Sequence, residues 1–304
     1  MEKKQLIILG SGPAGLTAAI YAKRAELDVL VVEKNMMSGG QVLNTYEVDN
    51  YPGLPGINGF EMGMKFREHA DRLGVTFVSD EITGVERTED GYRLNGASDT
   101  YESRTLIVAT GATHRRLGLA REEELTGRGV SYCATCDGAF FRGRDVAVVG
   151  GGDVAVEDAI FLARLCRRVY VVHRRHELRA AKSLQARLLS MENVEMVWDS
   201  VAKELTGGDQ LDGLVVSHVK TKEERRLEVD GVFVAVGILP NSDLTMGLAD
   251  HDEGGYLKAG EDGITSAPGL FVAGDVRTKP LRQIVTAVSD GANCVTSVER
   301  YLEQ

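Results

Sequence analysis

Several things are scarce in this sequence, and each scarcity removes a class of protein. Four cysteines in 304 residues are too few for the disulfide framework of a secreted domain, so a reducing, cytoplasmic setting is expected. No run is long and apolar enough to span a bilayer. The opening Lys3-Lys4 followed by QLIILGSGPAGLTAAIYA has the outline of a signal peptide, basic and then apolar with small residues. A Gly-rich strand-to-helix turn explains the same residues more specifically. Positive charge is also in deficit, with 35 Lys and Arg against 45 Asp and Glu and a net charge of −10. The charges are interspersed, so no basic surface is offered to a phosphate backbone. Neither a nucleic-acid partner nor a membrane is expected. Disorder is excluded too, because 43% hydrophobic residues supply one large or two medium cores.

What is present is a repeat. Residues 6–34, LIILGSGPAGLTAAIYAKRAELDVLVVEK, align without a gap with residues 146–174, VAVVGGGDVAVEDAIFLARLCRRVYVVHR. Each copy starts with four apolar residues, turns through glycines into an amphipathic helix, and gives a second apolar strand. That is a βαβ opening written twice. Each is followed by alternating segments with turn signals, and Asp90-Gly91 and Asn95-Gly96 read as hairpin turns. Each closes on an apolar strand ending in glycine, LIVATGA and VFVAVGI. The tail contains GLFVAGDV and a helix beginning near Gln283, but no third fingerprint. It is too short to stand alone and is expected to complete the first copy. The fold expected is α/β, with two Rossmann-like nucleotide-binding domains and the second inserted into the first. The boundaries fall at 1–113 with 243–304, and at 114–242.

The two fingerprints select different nucleotides. In GSGPAG, Gly10, Gly12 and Gly15 have the G-x-G-x-x-G spacing around Pro13 and Ala14, which seats a pyrophosphate on a helix N-terminus. Glu33, at the end of the next strand, can accept from both ribose hydroxyls, as an unphosphorylated ribose such as that of FAD requires. In GGGDVA, Gly150, Gly152 and Ala155 repeat the pattern with Asp153 in the turn. At the offset of Glu33 stands His173, followed by Arg174, Arg175 and Arg179. A carboxylate there would repel a 2′-phosphate, whereas guanidinium groups pair with it bidentately. The second site is thus expected to take NADPH.

The stretch GVSYCATCDGAFF places Cys133 and Cys136 two residues apart, a spacing compatible with haem, metal or a redox dithiol. Haem attachment needs a histidine next, and the residue is Asp137. Zinc needs further ligands, and Cys166 and Cys294 stand alone, reading as small buried apolar side chains. A redox dithiol remains, in a chain that also binds a flavin and NADPH. Asp137 is placed to hold or donate a proton as a thiolate forms.

Over essentially its whole length the sequence resembles the low-molecular-weight thioredoxin reductases, in GSGPAGLTAAIYAKRA, GGQVLNTYEVDNYPG, CATCDGAFF, GGGDVAVEDA, HRRHELRA and GLFVAGDVRTKPLRQIVTAVSDGA. The resemblance implies that Gly39, Gly40, Gln41, Asn50, Gly274, Asp275, Arg282 and Gln283 hold FAD. It implies that Cys136 faces the flavin, that Cys133 attacks a thioredoxin or thioredoxin-like disulfide, and that Asp137 is the acid. It also implies a homodimer. Two departures are visible: EKNMMSGGQ is one residue longer than is common, and Val154 replaces a small hydroxyl residue, which bears on NADPH affinity. A flavin-dependent dithiol oxidase of the same build is disfavoured by Gly152, Arg174, Arg175 and Arg179. The same residues disfavour a donor such as ferredoxin, and the intact Cys-x-x-Cys-Asp disfavours a non-catalytic flavin-binding scaffold.

Overall fold

The run Leu6–Leu9 carries no polar side chain, so a strand made of it is stable only with both faces covered. In the computed structural model, which describes residues 3–45, 48 and 50–304, Lys4–Leu9 is such a strand, with Leu6, Ile7 and Ile8 fully buried. The chain divides into two units, Met1–Thr113 with Leu239–Gln304, and His114–Ile238, so the second crossing falls four residues before the expected 243.

In the first unit Lys4–Leu9 pairs in parallel with Val29–Glu33 on one side and Thr100–Val108 on the other, Ile8 lying opposite Val31 and Ile107. Thr76–Ser79 extends the sheet beyond Val29–Glu33, again in parallel. Leu270–Val272 pairs in parallel with Leu106–Val108, so the end of the chain does complete the first sheet. The first half of Thr100–Val108 takes instead the antiparallel hairpin Ile82–Thr88 and Gly91–Gly96. Successive side chains point to opposite faces. Leu6 and Ile8 therefore join one core with Leu16, Ala18 and Val295 from the helices Pro13–Arg24 and Ile284–Leu302, while Ile7 and Leu9 join another with Tyr92 and Val272. The two helices approach closely at Gly291, where a Cβ would stand 2.2 Å from the Ala14 carbonyl oxygen.

The second unit repeats the plan. Asp145–Gly150 is central, flanked in parallel by Arg168–Val172 and Gly231–Ala235, with Val194–Val197 and Val130–Ser131 at the edges. The helix Asp153–Ala163 packs Val156, Ala159, Ile160 and Leu162 onto that sheet. An antiparallel sheet of Ser200–Gly207, Leu211–His218 and Glu224–Leu227 follows.

The hairpin turns fall slightly off the sequence expectation. Thr88 pairs with Gly91, so Asp90 is in the loop but Gly91 already belongs to the strand. Asn95 pairs with Thr100, so Asn95 and Gly96 close a strand and the loop lies just beyond them. The last helix begins at Ile284 after Gln283, whose N–H donates to Thr286 Oγ1 at 3.1 Å. Among the described residues no helix is long and apolar enough to cross a membrane.

Candidate functional site

The first Gly-rich turn leads from Lys4–Leu9 into Pro13–Arg24, and its three glycines differ in cause. Gly10 has φ +106°, and a Cβ there would meet the Ala109 carbonyl at 2.5 Å; at Gly15 it would meet the Gly10 carbonyl at 2.0 Å. At Gly12 a Cβ would meet nothing within 4 Å. The protein itself requires the first and third, whereas the second leaves a space beside a helix N-terminus, where anions are favoured. Gly39 and Gly40 close over this turn: Gly39 N–H donates to the Ser11 carbonyl at 2.8 Å, and a Cβ on Gly40 would lie 3.2 Å from Gly12 Cα. Glu33 is oriented by four donors. Ser11 N–H and Oγ reach Oε2 at 2.8 and 2.9 Å, and Asn35 N–H and Nδ2 both reach Oε1 at 2.9 Å. For a ribose hydroxyl to bond there, the Ser11 hydroxyl or the Asn35 amide must turn away, since a carboxylate has about four acceptor positions.

Opposite the start of the same helix lies Gly274, φ +83°, whose Cβ would stand 3.0 Å from Ala14 Cβ. The next residue, Asp275, is half-buried, and its Oδ1 is buried without a hydrogen-bond partner among the described residues. Burial pushes this carboxyl above its usual range, and Lys279 and Arg282 pull it back. A buried oxygen with no donor is costly unless a ligand supplies one, and FAD carries hydroxyl donors on its ribityl chain. The cradle therefore fits FAD on two independent grounds, the open side of Gly12 and the orphaned oxygen of Asp275. Asn50 Nδ2 donates to Gln283 Oε1 at 2.8 Å, Gln41 Nε2 to the Ala112 carbonyl, and Arg282 Nε to the Asp275 carbonyl at 3.4 Å. The family-like stretch 39–53 includes positions 46, 47 and 49, which lie outside the described residues.

In the second unit the corresponding turn is built alike. A Cβ on Gly150 would stand 2.4 Å from the Ala235 carbonyl and 2.7 Å from Ala155 Cβ, while Gly152 again faces open space. The following loop folds back on the turn: Asp153 Oδ1 accepts from Ala181 N–H at 2.7 Å, and Arg179 N–H donates to the Gly151 carbonyl at 2.8 Å. His173 is buried, with Nε2 3.1 Å from the Glu177 carbonyl. Its ring occupies the place a Cβ on Gly151 would take, at 2.2 Å. Burial lowers its pKa, the bond to Glu177 opposes the shift, and the neighbouring arginines reinforce it. Arg174, Arg175 and Arg179 are exposed. Val154 points outward, 55% exposed.

Cys133 and Cys136 are joined as a disulfide across the short helix Ala134–Asp137, with Cα atoms 5.3 Å apart. Asp137 follows directly. Burial raises its pKa, and a hydrogen bond from Ser131 opposes the shift. Ser131 Oγ donates to Asp137 Oδ2 at 2.6 Å and accepts from Cys133 N–H at 3.1 Å. One hydroxyl thus ties the acid to the backbone of the first cysteine. Cys166 and Cys294 are free and buried; burial pushes their thiols up to about 11 and about 12, which removes the thiolate that reactivity needs. Among the described residues no three His, Cys, Asp or Glu side chains gather to hold a metal.

A fingerprint turn in each unit, a cradle fitting FAD and a closed Cys-x-x-Cys beside a raised carboxyl define a two-nucleotide disulfide oxidoreductase. The sequence pattern of the pyridine nucleotide-disulphide oxidoreductases matches residues 4–291. The chain is 44% identical to a thioredoxin reductase of Listeria monocytogenes, over 98% of this chain and 94% of the relative, and 42% identical to one of Bacillus subtilis, over 98% and 95%. It superposes on the crystal structure of thioredoxin reductase from Streptococcus pyogenes with a TM-score of 0.93 and 44% identity, covering 99% of this chain and 98% of that one. The chain belongs to the thioredoxin reductase family.

Sequence reasoning missed Ser131, Ser11 and Asn35, which orient the two acids it did find. It also missed the buried Arg277, Lys279 and Asp290 behind Asp275. Each acts through a contact that no spacing rule reports.

Proposed function

We infer that the protein is an NADPH-dependent thioredoxin-disulfide reductase. The observation that carries this reading is the closed Cys133–Cys136 pair beside Asp137 in a chain with two nucleotide turns. FAD held in the first unit would supply the two-electron chemistry that links NADPH oxidation to opening of the disulfide. Gly10, Gly12, Pro13, Ala14, Gly15, Glu33, Gly39 and Gly40 would hold its adenylate end; Gln41, Asn50, Gly274, Asp275, Arg282 and Gln283 would hold the remainder. Met1–Thr113 with Leu239–Gln304 is then the FAD-binding domain, and His114–Ile238 the NADPH-binding domain carrying the dithiol. In the latter, Gly150, Gly152, Asp153 and Ala155 would receive the pyrophosphate. Arg174, Arg175 and Arg179 would pair with the 2′-phosphate, while His173 shapes the turn beneath them.

The dithiol chemistry belongs to the chain's own residues. Reduction breaks the S–S bond and leaves two electrons on the sulfurs. The Cys133 thiolate attacks one sulfur of the thioredoxin disulfide, and the other leaves with its electron pair and takes a proton from Asp137. The Cys136 thiolate then attacks Cys133, expelling the second thioredoxin sulfur and restoring the starting disulfide. Both thioredoxin sulfurs end reduced, so electrons balance. The reading extends to a cytoplasmic homodimer with no nucleic-acid or membrane partner, supported by the net charge of −10 and by the family resemblance. Cys136→Ser is the test: NADPH should still bleach the flavin, while thioredoxin turnover is lost. Thioredoxin reduction surviving in this variant would overturn the relay.

A further inference from the structure

Behind Asp275 lies a set of charges that the fingerprints do not explain. The side chains of Arg277, Lys279 and Asp290 are 4%, 3% and 2% exposed. Asp290 Oδ2 accepts from Lys279 Nζ at 2.7 Å, from Arg277 Nε at 3.0 Å and from Gly274 N–H at 2.9 Å; Oδ1 accepts from Arg277 Nη2 at 2.6 Å. Burying charges is costly unless they are paired. Here two buried cations share one buried anion, which leaves a positive charge over. Glu261 touches Arg277 at 3.5 Å but is 78% exposed, so water screens its contribution. Arg282 is stacked on Tyr256, 4.1 Å from the ring centroid, and bonds to backbone carbonyls. Beside the trio in the chain is Asp275, which adjoins the Gly274 N–H that Asp290 holds and carries a buried carboxylate oxygen without a partner among the described residues.

We propose that Lys279, anchored on Asp290, is a positioning residue of the flavin cradle, whose charge keeps Asp275 an ionised acceptor and whose anchor fixes the Gly274–Asp275 turn. The proposal rests on the FAD reading above. Asp275 is pushed towards its neutral form by burial and, more weakly, by Asp290; Lys279 and then Arg282 oppose that push. An ionised acceptor makes hydrogen bonds about twice as strong as a neutral one. Arg277, chelated by both Asp290 oxygens, serves as the mechanical half of the clamp; Lys279 serves as the electrical half.

The test is a double-mutant cycle on FAD affinity, read from the quenching of flavin fluorescence as FAD is added to flavin-free protein. Lys279→Gln keeps a donor towards Asp290 and removes the charge. It should weaken FAD binding about tenfold or more. In an Asp275→Asn background the same change should cost less than about twofold, because no ionised partner remains to be supported. Equal losses in both backgrounds would overturn the electrical role and leave only a structural clamp. A second measurement needs no change at Lys279: the infrared difference between wild type and Asp275→Asn at neutral pH should contain an ionised carboxylate band. A protonated carboxyl band there would overturn the proposal even if Lys279→Gln failed to fold. Absence of FAD binding by wild type would instead remove the flavin reading itself.

Discussion

Ser131 touches both halves of the thiol chemistry, since its hydroxyl donates to Asp137 and accepts from Cys133 N–H. A hydrogen bond to the ionised carboxylate favours ionisation. Ser131→Ala should therefore raise the Asp137 pKa further, so that the acid stays protonated to higher pH. The alkaline limb of the thioredoxin-reduction profile should move up, and Ser131→Thr should leave it in place. A uniform loss at every pH would show a role in folding alone. Asp158, on the helix Asp153–Ala163, offers an independent check of burial. Desolvation, helped by Glu157, raises its pKa from 3.8 to about 7. Between those values the folded state binds the extra proton, so stability falls as pH rises through that window. Asp158→Asn should raise the melting temperature at pH 8 and leave it almost unchanged near pH 4. An equal shift at both would contradict the assignment of that proton to Asp158.

At the scale of the element, the strand–turn–helix openings were legible because their causes are local. The Gly15 clash with the Gly10 carbonyl and the Gly150 clash with Ala155 Cβ each lie within one turn, five residues apart, and a fixed spacing records both. His173 shows where that legibility ends. Its offset marks the ribose end of a nucleotide site, yet its ring also fills the space above Gly151, 22 residues earlier. No period links those two positions; only the return of the strand Arg168–Val172 beside Asp145–Gly150 does. Gly151→Ala should destabilise the protein by about 1–3 kcal/mol through overpacking, and adding His173→Ala should recover part of the loss. A melting temperature unmoved by Gly151→Ala would show that the turn yields more easily than its packing implies. The Arg277–Asp290–Lys279 trio was invisible for the same reason, since Asp290 meets its partners only when the helix Ile284–Leu302 lies beside the Gly274 turn.

At the scale of the whole chain, the repeat accounts for the two-unit plan. One strand–turn–helix plan occurs twice, with an acid closing the second strand of one copy and a run of exposed arginines following that strand in the other. The Cys133–Cys136 disulfide lies between the two openings in sequence. The return of Leu270–Val272 to the first sheet fits the expectation for a tail that has no third fingerprint and is too short for a core of its own. An anaerobic titration of the flavin-loaded protein tests this account most directly. NADPH should be taken up to about two equivalents per chain, one electron pair for the flavin and one for Cys133–Cys136, and NADH should match it only at much higher concentration. Saturation at a single equivalent of NADPH, or equal uptake from NADH, would contradict it.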